Sequence, residues 1–64
     1  MTQKGYFLVG IRKTVTLYLW NKSREYLEQV LAESNNKKNR RVVPCFVDGN
    51  KHYIEVGDEL IRIQ

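Results

Sequence analysis

The sequence predicts an α+β domain of ββαβββ order: a five-stranded, mostly antiparallel curved sheet or partial barrel with one helix packed on one face. Three observations lead to that class. Apolar and polar residues alternate from Gly5 to Trp20 and again in the second half of the chain. Residues 23–34 alone carry helical spacing. The turn-forming pairs Asp48-Gly49, Gly49-Asn50 and Gly57-Asp58 break the second half into short segments. With no internal repeat and no linker-like tract, residues 1–64 read as a single domain.

The first two strands come from one long alternating stretch. Phe7, Val9, Ile11, Val15, Leu17 and Leu19 occupy every odd position except Lys13. A single strand of that length is unusual, so a hairpin with the loop Arg12-Lys13-Thr14 is expected. A three-residue loop pairs Ile11 with Val15, Val9 with Leu17 and Phe7 with Leu19, and so keeps all six on one face. A long strand bent at Gly10 is the alternative, because the loop contains no glycine.

The helix is expected from about Ser23 to Ser34. Asn21 or Ser23 can accept the free N–H groups of its first turn, and Glu25 suits the positive end of its dipole. Tyr26, Leu27, Val30 and Leu31 form its apolar stripe, and Arg24, Glu28 and Gln29 turn outward. Asn35 and Asn36 tolerate the left-handed conformation that ends helices. Strands then follow at about Arg41 to Val47, Lys51 to Val56 and Glu59 to Ile63, with a two-residue, type I′-favouring turn at Asp48-Gly49 or Gly49-Asn50. Pro44 donates no hydrogen bond, which assigns it to an edge or a bulge.

Carried through every strand, the alternation gives one face to Phe7, Val9, Ile11, Val15, Leu17, Leu19, Val43, Cys45, Val47, Ile54, Val56, Ile61 and Ile63. This is the face expected to receive the helix. The other face collects Tyr6, Leu8, Tyr18, Trp20, Phe46, Tyr53 and Leu60, five of the seven aromatic residues among them. One helix cannot shield both sides, and an exposed aromatic patch marks an interface. Tyr6, Tyr18, Trp20, Phe46 and Tyr53 are therefore the candidate stacking or interface residues.

Charge points in a compatible direction. The net charge is +4, but residues 35–47 alone hold Lys37, Lys38, Arg40 and Arg41 with no acid, and residues 1–20 hold Lys4, Arg12 and Lys13 with none. Segregation of this kind favours acidic partners such as nucleic acid. The candidate phosphate contacts are Lys37, Lys38, Arg40 and Arg41, joined by Arg12 and Lys13 if the hairpin tip lies nearby. Two functions follow: a small basic nucleic-acid-binding or regulatory protein, or a protein-interaction module, a homodimeric adaptor or an inhibitor of a larger protein.

Other chemistries find little footing. No Cys or His pair has metal-ligand spacing, no glycine-rich phosphate cradle opens the helix, and no nucleophile, base and oxyanion donors assemble, so neither an enzyme, a metal nor a cofactor is expected. Cys45 reads as an inert core residue, Ser23 as a helix cap, and His52 as a structural histidine on the aliphatic side. A lone cysteine suits the cytoplasm, and no apolar run approaches the roughly 18 residues that a membrane span requires.

Overall fold

A computed structural model describes residues 1–35 and 38–63. It shows β1 (Thr2–Ile11), β2 (Val15–Asn21), α1 (Arg24–Glu33), β3 (Arg40–Asp48), β4 (Lys51–Val56) and β5 (Glu59–Arg62), the expected order. All neighbouring strands are antiparallel in one open sheet ordered β2-β1-β3-β4-β5. No helix among the described residues is long and apolar enough to cross a membrane.

The local signals are realised closely. Arg12-Lys13-Thr14 connects β1 to β2, with Ile11 opposite Val15 and Val9 opposite Leu17, so a hairpin forms and not one bent strand. Ser23 caps α1 by accepting a hydrogen bond from the Tyr26 amide at 3.3 Å, and Asn21 Oδ1 accepts from the Ser23 amide at 2.8 Å. Together they satisfy amides at the helix entrance that lack intrahelical partners. Of the expected apolar stripe, Leu27 is fully buried and Val30 and Leu31 half-buried, whereas Tyr26 stays exposed. Gly49-Asn50 is the two-residue turn between β3 and β4. Only Gly49 takes a positive φ there, +61°, which is the type II′ pattern and not type I′.

One extra residue in β2 alters the face assignment. Leu8 lies opposite Leu19 and Val9 opposite Leu17, which leaves Tyr18 as a β-bulge. Beyond it the alternation has slipped: Phe7 faces Trp20 and not Leu19. Leu19 therefore lies beside Leu8, and Trp20 moves to the Phe7 side. The expected grouping of Trp20 with Tyr6 and Tyr18 is thus corrected, because a one-residue slip exchanges faces for everything after it.

The helix also lies on the side opposite to the one expected. Arg40, which pairs with Gly10 and so shares the Leu8 side, donates a hydrogen bond to Ser34 Oγ at the end of α1, 3.2 Å away. Leu8 and Leu27 are both buried without belonging to the Val9, Val43 and Ile54 cluster. That aliphatic cluster needs no helix because the curved sheet folds its own residues around it: Phe7, Ile11, Val15, Val56, Ile61 and Ile63 pack against those three. The domain thus has apolar packing on both sides of a single sheet. The helix covers β1, β2 and β3 but makes little contact with β4 or β5.

Pro44 sits in the central strand β3 and not on an edge. It lies opposite Tyr6, directly after the irregularity between Gln3 and Tyr6 in β1, and the β3–β4 ladder begins only at Cys45. The missing donor is accommodated where pairing is already interrupted.

Candidate nucleic-acid interface

The end of β1 and the start of β3 bring the two basic segments together. Asn39 takes the left-handed conformation, φ 68°, which asparagine tolerates better than most residues. Its carbonyl accepts a 2.6 Å hydrogen bond from the Ile11 amide. This bond ties the turn before β3 to the residue at which β1 enters the hairpin loop. Lys38 and Arg40 consequently lie beside Arg12 and Lys13, which alternation alone could pose only as a condition.

Tyr18 joins them through the bulge. A Cβ placed on Gly10 would lie 2.7 Å from the Tyr18 ring carbon Cε2 and 2.8 Å from its hydroxyl, so only glycine lets the ring lie against the β1 backbone. The Arg40 guanidinium lies over the ring at 4.4 Å from its centroid. With the bond to Ser34, that stack fixes the side chain at both its face and its edge.

These groups surround an open cleft of about 580 Å³. Arg12, Lys13, Lys38 and Arg40 contribute four cations, and among the described residues no acidic one lines it. Thr14, Thr16 and Asn39 add polar groups, and Gly10 forms part of its wall. Clustered like charges with no internal counter-ion leave a positive potential that an anion can neutralise. The cleft joins charge, hydroxyl and amide donors and an aromatic plane within one concave surface, which suits phosphate and base together.

The other sequence-derived candidates go elsewhere. Arg41 pairs with Val9, so strand alternation directs it to the face opposite Arg40. Lys37 lies outside the described residues. Tyr6 sits opposite Pro44, and Phe46 opposite Tyr53, all half-buried on the helix side of the sheet. Phe46 is six residues along β3 from Arg40, roughly 20 Å at the rise of a strand. Trp20, on the far face, rests against Gly5 and donates from Nε1 to the Lys4 carbonyl at 2.8 Å. Only Tyr18 of the aromatic candidates reaches the basic cleft.

Sequence reasoning overlooked Gly10, Thr14, Thr16 and Asn39 as cleft residues. Gly10 was the available signal, since a glycine within an apolar strand marks a bulge or a close approach. Elsewhere, burial raises the Cys45 thiol above its ordinary value and so disfavours its thiolate. Among the described residues, no group of three or more His, Cys, Asp and Glu side chains is placed to hold a metal ion.

Comparison with protein-family models, curated proteins and solved structures finds no match to the chain.

Proposed function

We propose that this is a nucleic-acid-binding protein, a binding module and not an enzyme, which holds the backbone of a single strand in the basic cleft. The observation that carries the proposal is the convergence of Arg12, Lys13, Lys38 and Arg40 around Tyr18 with no acid among them. The cations contact phosphates, while Tyr18 and the guanidinium stacked on it offer planar surfaces to an unpaired base. Tyr6, Phe46 and Tyr53 are half-buried and do not line the cleft, and Trp20 faces away. The single free thiol, buried at Cys45, suits work in a reducing compartment such as the cytoplasm.

Fluorescence anisotropy of labelled single-stranded and duplex DNA and RNA tests this reading. If the four cations each neutralise one phosphate, the single-strand salt slope is about −2.8, and affinity falls roughly 50-fold between 50 and 200 mM salt. An Arg12→Ala, Arg40→Ala double variant should lose both affinity and about half of that slope. Absence of salt-sensitive binding, or unchanged binding by the double variant, refutes the proposal.

One observation favours association with a second copy as well. Leu17, Tyr18, Leu19 and Trp20 are four consecutive large apolar residues on the edge strand β2, each 38–50% exposed. Edge strands with exposed apolar side chains pair readily with other strands. Light scattering of the wild type and of Leu19→Lys tests this association. A monomer in both cases removes it.

A further inference from the structure

The aliphatic face holds a recess unrelated to the basic cleft. It has a volume of about 290 Å³, and Phe7, Trp20, Val47 and Ile63 form most of its apolar wall, with the Cys45 thiol among them. Lys4 and His52 complete the lining, and among the described residues no carboxylate does. An apolar recess in the mouth of a curved sheet, with a few convergent polar groups, is the usual form of a small-molecule site.

His52 supplies the second observation. Its Nδ1 is shut off from solvent and has no hydrogen-bond partner among the described residues. With Nδ1 closed off, Nε2 is the ring nitrogen left to meet a ligand, and it can do so as an N–H donor. That edge of the ring is then a donor beside a wall of carbon and sulfur from Phe7, Trp20, Cys45, Val47 and Ile63. Lys4 adds an exposed ammonium with no ion pair among the described residues. Two donors, one of them cationic, at the edge of an apolar recess select an anionic acceptor attached to an apolar body.

We propose that the recess binds a small free carboxylic acid, its hydrocarbon part held by Phe7, Trp20, Val47 and Ile63 and its carboxylate met by Lys4 and by Nε2 of His52. At about 30 Å³ per water-sized group, 290 Å³ accommodates on the order of ten non-hydrogen atoms, the size of octanoate. The site is independent of the nucleic-acid reading: it lies toward the opposite end of β1 and on the other face of the sheet.

The test titrates the full chain with octanoate, octanol and octylamine in the absence of nucleic acid, following the fluorescence of Trp20, the only tryptophan. Octanoate should saturate the signal below about 1 mM and bind about fivefold more tightly than octanol, the factor expected of one exposed ion pair, with octylamine weakest. Lys4→Gln should weaken octanoate binding more than octanol binding and so reduce the preference for acid over alcohol. Val47→Phe, which fills the recess, should abolish both, with folding checked by circular dichroism. If that variant does not fold, Lys4→Gln decides. Phosphatidylglycerol vesicles, another source of an acyl chain beside an anion, should leave Trp20 unchanged, because the recess admits one short chain and not a bilayer. No saturable octanoate response, octanol binding as tight as octanoate, a preference unaffected by Lys4→Gln, or a response to vesicles alone overturns the proposal. None of these outcomes depends on whether the cleft binds nucleic acid.

Discussion

Gly5→Ala and Gly49→Ala should differ in stability although both glycines occupy the left-handed region, at φ +84° and +61°. An alanine in that region costs about 1–2 kcal/mol, partly offset by the roughly 0.4–1 kcal/mol that it removes from unfolded-chain entropy. Both variants carry a backbone cost of this kind, so the comparison turns on what each added methyl group meets. Gly49 has nothing within 4 Å of the added methyl group, whereas the Gly5 methyl would lie 2.8 Å from the Asn21 carbonyl oxygen and 2.9 Å from the Trp20 ring. Backbone cannot rotate away as a side chain can, and overpacking of this kind costs about 1–3 kcal/mol. For a 64-residue domain, 1 kcal/mol corresponds to about 7 °C in Tm, so Gly5→Ala should melt roughly 7–20 °C below Gly49→Ala. Thermal unfolding followed by circular dichroism measures the gap. Trp20 fluorescence in the folded variant reports whether the indole has left the Lys4 carbonyl. Melting temperatures within about 3 °C of each other would show that the close packing of Trp20 and Asn21 on Gly5 is not what makes glycine necessary there.

Three further outcomes are expected. Leu27→Ala, at the one fully buried helical side chain, should cost about 2–5 kcal/mol in urea unfolding and detach α1, seen as loss of helical circular dichroism; a cost below 1 kcal/mol would deny its role as the helix anchor. Gly10→Ala should push the Tyr18 ring off β1, with about 1 kcal/mol or less of stability change but an affinity loss for a labelled single strand worth about 1–3 kcal/mol; unaltered affinity would exclude Tyr18 as a stacking surface. Burial raises the Cys45 thiol above 9.0, so the unfolded chain loses this proton first: the associated stability is complete below pH 9 and declines above it, by at most about 1.4 kcal/mol per pH unit. Cys45→Ala should remove that alkaline component, so a stability difference between wild type and variant that does not change above pH 9 would contradict the assignment.

Most of the fold was readable because short-range patterns specify it. The hairpin loop at Arg12-Lys13-Thr14, the Ser23 cap and the glycine turns at Gly49 and Gly57 all act over two to four residues, and all formed where expected. What escaped was the consequence of one inserted residue. The Tyr18 bulge leaves no composition mark in Leu17-Tyr18-Leu19-Trp20, yet it reverses the facing of Leu19 and Trp20 and takes Trp20 out of the expected aromatic patch. The side chosen by the helix was equally hidden, because it depends on how far the sheet curves. Once Val9, Val43 and Ile54 are covered by their own sheet, Leu8 becomes the surface that Leu27 has left to bury. The basic cleft stood between these cases. Its cations were visible in sequence, but their meeting required the bond from Ile11 to the Asn39 carbonyl, across a long stretch of chain.

That bond has a further consequence for assembly. The β1–β2 hairpin and the β3–β4–β5 meander are each built from neighbours in sequence, and they are stitched together along β1 and β3. Arg12 and Lys13 belong to the first half of the stitch, and Lys38 and Arg40 to the second. A polyanion that spans the cleft would therefore hold the two halves together like a clasp, while the same four charges, left without it, push the halves apart. Two separately synthesised halves should find each other more readily in the presence of such a polyanion than in its absence, a linkage between recombination and ligand that follows from mass action alone.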